Sequence, residues 1–267
     1  MKQLCMSMAL LALVAACGTK KKENQILTLP TTLEEAVSND LRTPANIARD
    51  KYRHPLETLN FFGLQAEMTV VEIWPSSGWY SEILAPYLAG KGKYILADTP
   101  SDPKGYTTPR LEWMSKNPEI AARTTITKFL PPDITDIAPE GTADLVLTFR
   151  NIHNWQGDKA QKAAFASFFK ALKPGGVLGI VEHRAKKNND PKSGYVLESE
   201  VIRYAVGAGF KLEAKSEINA NPKDTKNYPE GVWTLPPRLR LGDKDKQKYL
   251  DIGESDRMTL KFVKPIK

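Results

Sequence analysis

The sequence predicts an α/β fold: one mostly parallel, seven-stranded sheet with helices on both faces. Two observations predict it. Short apolar runs rich in Val, Ile and Leu alternate with stretches of helical period through residues 69–216, the order that a parallel sheet with right-handed crossovers requires. A last apolar run at 257–264 closes the chain after a long stretch without pattern, and no repeat or second core accompanies the first.

Taken in order, Thr32-Leu33-Glu34-Glu35 has capping-box spacing and opens a short helix. Residues 49–64 (RDKYRHPLETLNFFGL) are helical after Pro55, with Gly63 as the stop. Strands follow at 69–74 (TVVEIW), 93–99 (KYILADT), 124–130 (TTITKFL), 143–150 (ADLVLTFR), 177–184 (VLGIVEHR), 211–218 (KLEAKSEI) and 257–264 (RMTLKFVK). Helices are expected at 79–89, 109–123, 158–172 and 196–207, and residues 219–255 form a long irregular loop. Loops of that length in a compact domain commonly carry function.

The first sixteen residues carry one cation, Lys2, and then an apolar run too short to span a bilayer, which takes about 20 residues. They read as a signal peptide. Leu13-Val14-Ala15-Ala16-Cys17 resembles the bacterial lipobox. The resemblance implies cleavage before Cys17, diacylglycerol on its sulfur, and an exported lipoprotein anchored on the periplasmic side. Gly18 after the cysteine points, by analogy with lipoprotein sorting, to the outer membrane. Residues 17–31 then form a lipidated tether. Residues 32–267 form one domain, with 32–64 as a helical cap and 219–255 as the loop before the last strand.

Of two cysteines, Cys5 is discarded and Cys17 acylated, so neither a disulfide nor a cysteine-rich zinc site is available. The net charge of +7 is scattered and alternates in sign at 243–246. No basic stripe interleaves with aromatics, so nucleic acid is not an expected partner.

In an open α/β sheet, ligands bind beyond the carboxyl ends of the strands. After the first strand comes Glu72-Ile73-Trp74-Pro75-Ser76-Ser77-Gly78-Trp79, a tight turn opening a helix, and the second strand ends at Asp98, 20 residues beyond Gly78. That is the spacing of a ribose-binding acid, though Asp98 also suits a turn before Pro100. After the fourth strand comes Arg150-Asn151-Ile152-His153-Asn154-Trp155, and the fifth ends in Glu182-His183-Arg184. Two of the three histidines therefore fall on neighbouring strand ends, where a histidine of near-neutral pKa can take a proton from an acceptor; each can equally be a locally bonded residue. Their spacing matches no compact ligand motif, so no metal is expected.

The order of these parts, with the string Leu172-Lys173-Pro174-Gly175-Gly176 before the fifth strand, resembles the Rossmann-like class I S-adenosylmethionine-dependent methyltransferases over about residues 68–210. EIWPSSGWYSEILAPYL, GVWTLPP and IGESDRMTLKF look like a small family of exported predicted methyltransferases. The resemblance implies S-adenosylmethionine as cofactor, cradled by Glu72, Trp74, Ser76, Ser77 and Gly78, with Asp98 on the ribose and Asp133 or Asp136 at the adenine. It places a small-molecule acceptor by Asn151 and His183, with His153 activating it and Arg150 and Glu182 orienting. The superfamily turn has three alternating glycines, whereas here Trp74 and Ser76 occupy two of those places and Pro75 lacks an N–H. The rival reading is a non-catalytic module that binds a small molecule or partner on the same fold. A hydrolase is a weaker third, because no Gly-x-Ser-x-Gly elbow is present.

Overall fold

The computed structural model describes residues 28–155 and 157–266. The expected signal peptide, Cys17 and most of the tether lie outside the described residues.

Seven strands form one sheet: β1 (Thr69–Ile73), β2 (Lys93–Asp98), β3 (Thr124–Lys128), β4 (Ala143–Phe149), β5 (Leu172–His183), β6 (Lys211–Ser216) and β7 (Arg257–Val263). The spatial order is β3-β2-β1-β4-β5-β7-β6. Every neighbouring pair from β3 to β5 is parallel, while β7 runs antiparallel between β5 and β6. Order therefore reverses between β1 and β4, which places the ligand crevice at the ends of those two strands.

Ten helices accompany the sheet among the described residues: α1 (Leu33–Ser38), α2 (Pro44–Ile47), α3 (Asp50–Arg53), α4 (Pro55–Phe62), α5 (Ser81–Leu88), α6 (Thr108–Lys116), α7 (Pro118–Ala121), α8 (Asp158–Ala171), α9 (Glu198–Gly207) and α10 (Lys246–Ile252). The α1 capping box forms as its spacing predicts, the Thr32 hydroxyl accepting from the Glu35 N–H while the Glu35 carboxylate accepts from the Thr32 N–H. The helix expected over 109–123 is two, α6 and α7, because Pro118 drives Asn117 out of the helical region. α5 starts at Ser81, two residues later than expected, since Trp79 and Tyr80 belong to the turn. The loop over 219–255 is not irregular throughout: it contains α10 and a short 3-10 turn, Gly231–Thr234.

Two apolar layers sandwich the sheet. Val71, Ile73, Phe165, Phe168 and Val201 pack on the α8–α9 face, and Leu59, Phe62, Val70, Ile83 and Leu84 on the α4–α5 face. Each such side chain contributes roughly 1.5–3 kcal/mol by leaving water. No helix among the described residues is long and apolar enough to cross a membrane.

The cap α1–α4 is fixed to the mouth of the sheet by polar contacts. The Thr43 N–H donates to the Glu82 carboxylate at 2.9 Å, and the Trp113 indole N–H to the Leu41 carbonyl at 2.6 Å. The buried Trp79 lies beneath it, donating to the Asn46 carbonyl with the Arg42 and Arg53 guanidiniums over its ring. Trp79 thus anchors the cap and does not line the crevice.

Candidate active site

The crevice has two lips, one at β1 and β2 and one at β4 and β5. On the first, Trp74, Ser76 and Gly78 all have left-handed φ, at 44°, 51° and 82°. The three places where the resembled superfamily has glycine therefore keep the glycine conformation, although two carry side chains. Such a backbone costs on the order of 1–2 kcal/mol per non-glycine residue, and surrounding contacts sustain it. The Trp74 indole N–H donates to the Phe129 carbonyl at 2.8 Å, and its ring meets Phe129 and Trp155 edge to face. At Gly78 a Cβ would lie 2.9 Å from the Arg110 side chain, so glycine is required by space as well as by φ.

Glu72 is buried beneath this turn and accepts from the Ser81 and Tyr94 hydroxyls. Burial pushes its carboxyl up to about 7 against the pull of those two bonds. Its place is under the turn, tying β1 to β2 and the start of α5. Asp98, at the end of β2, accepts from the Thr99 N–H at 3.0 Å and from the wholly buried Arg110 guanidinium at 2.7 Å. Ser76 is exposed and Ser77 half-buried on the rim. Asp133 is exposed in the turn after β3, while Asp136 is paired on the surface with Lys170 of α8.

On the second lip, the His153 Nδ1 lies 3.1 Å from the Oε1 of Glu182. Glu182 has no exposed surface; its carboxylate also accepts from the N–H groups of Ile152 and His183. A wholly buried carboxylate held by two backbone donors fixes the histidine ring in orientation and tautomer. His183 packs against His153 with ring centroids 5.3 Å apart, and its Nδ1 is 2.6 Å from the Ser255 hydroxyl. Burial foremost, then His153 and the arginines Arg150, Arg257 and Arg53, hold His183 well below the usual imidazole range, so its ring is neutral. Ligand atoms of His153, Glu182 and His183 lie within 4.8 Å of one another, a grouping that spacing along the chain does not reveal.

Asn151 is buried and donates its amide to the Ile73 carbonyl at 2.7 Å and to Thr148. It braces the two lips where they meet rather than presenting that amide to an acceptor. Trp155 lies in the core, and Trp233 packs against His153. Arg150 has a left-handed φ of 62° and pairs with no carboxylate among the described residues.

Sequence reasoning missed Arg53, Arg110, Ser255 and Glu254 at this mouth. Glu254 and Ser255 lie in the segment IGESDR, whose clustered charges directly before an apolar strand are the signal that marks them.

No family model and no curated protein matches the sequence. Its fold matches solved structures over most of the chain. One is an S-adenosylmethionine-dependent methyltransferase from Aquifex aeolicus (TM-score 0.56, 16% identity, 87% of this chain and 98% of that chain). Another is the [4+2]-cyclase SpnF (TM-score 0.56, 14% identity, 86% of each chain). A third is a phosphoethanolamine N-methyltransferase from Haemonchus contortus in complex with S-adenosylmethionine (TM-score 0.54, 14% identity, 88% of this chain and 60% of that chain). At these identities the likeness is one of fold: a Rossmann-like class I methyltransferase fold with a mostly parallel seven-stranded sheet.

The first lip fits an adenosyl cofactor on its own geometry. An ionised carboxylate offers about four lone-pair sites, and Asp98 uses one for a backbone N–H and one for Arg110, leaving acceptor capacity for ribose hydroxyls. The left-handed turn with small, solvent-facing Ser76 and Ser77 leaves room for close approach of a ligand to the backbone.

Proposed function

We propose that the protein is an S-adenosylmethionine-dependent methyltransferase acting on a small molecule, with the chemistry at the lip formed by β4 and β5. The observation that carries this reading is the buried Glu182–His153 pair, set beside a turn that keeps the glycine conformation at all three places. The turn, braced from beneath by Glu72, would hold the amino-acid end of the cofactor and Asp98 the ribose. S-adenosylmethionine, when bound, supplies a methyl group on an electrophilic sulfonium. Glu182 accepts the Nδ1–H of His153, so Nε2 is the basic nitrogen. It takes the proton from the acceptor hydroxyl or amine as the nucleophile develops, and the Glu182 charge stabilises the resulting imidazolium. Orientation and exclusion of water by the cap supply much of the acceleration in such a transfer.

The reading also places the domain outside the inner membrane as a lipoprotein anchored through Cys17. Mass spectrometry of membrane-extracted protein should find diacylglycerol on an N-terminal Cys17, and Cys17→Ala should move the chain to the soluble fraction.

A second reading has its own support. Arg110 holds Asp98 and Trp74 occupies the first glycine place, and one structure of equal likeness is a cyclase, so the fold alone does not fix methyl transfer. Calorimetry of the protein against S-adenosylmethionine and S-adenosylhomocysteine decides between the two. Asp98→Asn is the control, because an amide oxygen still accepts from the buried Arg110. Micromolar binding that Asp98→Asn weakens at least tenfold is expected; absence of heat from the folded protein leaves the non-catalytic module.

A further inference from the structure

Three guanidinium groups from separate parts of the chain bond to one carboxylate at the second lip, and a fourth acts on it without pairing. Arg49 and Arg53 come from the cap, Arg150 follows β4 and Arg257 opens β7. Arg49, Arg53 and Arg257 bond to Glu254 at 2.7, 3.0 and 3.1 Å. Burial pushes Glu254 up, but Arg53, Arg257, Arg49 and Arg150 together overrule it and hold the carboxyl far below its usual range. One negative charge thus serves four positive ones.

The donors exceed the acceptors as well. Nη1 of Arg53 and Nε of Arg257 are buried without a hydrogen-bond partner, in side chains only 3% exposed. Arg150 pairs with no carboxylate among the described residues, and its backbone is held in the left-handed region. Burial first, with Arg257 and Arg49 adding to it and Glu254 opposing, brings its guanidinium down to about 10. Unsatisfied buried donors and surplus like charge are both costly without a counter-ion. On the outer side of Arg257 and Glu254 opens a separate cavity of about 310 Å³, lined also by Lys51, His54, Lys223 and Asp251 but not by Arg53 or Arg150. That volume is at the lower end of the range small-molecule sites occupy.

The sign of this field chooses between two occupants. His153, Glu182 and His183 are close enough to ligate a divalent cation. Arg257 stands opposite His183 in the β5–β7 register and Arg150 lies three residues before His153; these positive charges oppose a second cation there and attract an anion. We propose that Arg53, Arg150 and Arg257 bind an oxyanion, the carboxylate or phosphate of a small molecule, beside His153. Under the reading above this anion belongs to the methyl acceptor, and the binding itself requires no methyl transfer. Guanidinium groups suit this ligand because their fixed fork matches the geometry of both anions.

The test is thermal unfolding of the full-length chain in detergent, titrated with inorganic phosphate or succinate against chloride at constant ionic strength. The wild type is compared with Arg150→Gln and with Lys244→Gln, an exposed residue carrying the same charge loss. The expected result is a saturable rise in Tm in wild type and Lys244→Gln for at least one oxyanion, with apparent affinity reduced on the order of tenfold or more in Arg150→Gln. In chloride alone Arg150→Gln should melt at or above the wild-type temperature, since it removes a repelling charge. The proposal is overturned by equal shifts in all three proteins, by no shift with either anion, or by Arg150→Gln melting lower in chloride while keeping the wild-type response. A divalent cation that stabilises the protein where oxyanions do not would give the cluster to a metal instead. Calorimetry with S-adenosylmethionine is read separately, so either proposal can fail while the other stands.

Discussion

The two lips of the crevice handle buried charge in opposite ways. At the end of β2, one acid meets one base: Asp98 pairs with Arg110, which also donates to the Ser76 carbonyl. At the second lip, Glu254 is bonded to three arginines and acted on by a fourth, and two of their nitrogens have no partner. The balanced pair locks a turn into shape, so its main product is geometry. The unbalanced cluster stores electrostatic free energy that a bound anion releases, so its main product is affinity.

The largest effect that separates them is the loss of each carboxylate. Glu254→Gln leaves buried guanidiniums without a counter-charge and should destabilise the protein by about 3–5 kcal/mol. Asp98→Asn leaves Arg110 an amide oxygen and the Ser76 carbonyl, and should cost about 1–3 kcal/mol. Urea unfolding at pH 7 measures both. If Asp98→Asn proved the more damaging, the contrast between a balanced and an unbalanced lip would be wrong.

Next in size is a pH effect of opposite sign at the two lips. The folded-state pKa of Glu254 is depressed, so its contribution is fully present above the unfolded value, ordinarily 4.5, and is lost as pH falls below it. The folded-state pKa of Glu72 is raised from 4.5 to about 7. The native state therefore binds a proton that the unfolded chain has released between those values, and stability declines as pH rises across that window, by on the order of 3 kcal/mol. Glu72→Gln should flatten the decline and leave the protein more stable at pH 8 than the wild type. Glu254→Gln should leave the decline in place and remove the loss in acid. Urea unfolding from pH 3.5 to 8 reads both, and a Glu72→Gln variant that still declines would assign that limb to another group.

The alternation of apolar runs and helical stretches announced the sheet because strands and crossovers are local in sequence, and the capping box at Thr32 and the stop at Gly63 follow from the same local chemistry. The pairing of His153 with Glu182 was legible only as far as strand ends are adjacent in an open sheet; their separation of 29 positions hides the contact from any spacing rule. The arginine cluster was not legible at all. Arg53 and Glu254 are 201 positions apart, and what joins them is the folding of the cap and of the segment before β7 over one mouth. The burial of Trp79 is hidden for the same reason: it ends the turn in sequence, while the cap that covers it is encoded elsewhere.

The smallest effect tests whether the left-handed turn is kept for a ligand or for the fold. Ser76 is exposed at φ 51°, and glycine would adopt that conformation without the Cβ penalty of about 1–2 kcal/mol. Glycine also gains more freedom in the unfolded chain, which offsets about 0.4–1 kcal/mol of that. Ser76→Gly should therefore raise stability by about 0.5 kcal/mol, a shift of one or two degrees in Tm that replicate melts resolve. A cofactor held by the Ser76 hydroxyl would bind more weakly to this more stable variant, and stability and affinity would move in opposite directions. If both rose together, the serine would be a remnant of the turn and the backbone alone would hold the ligand.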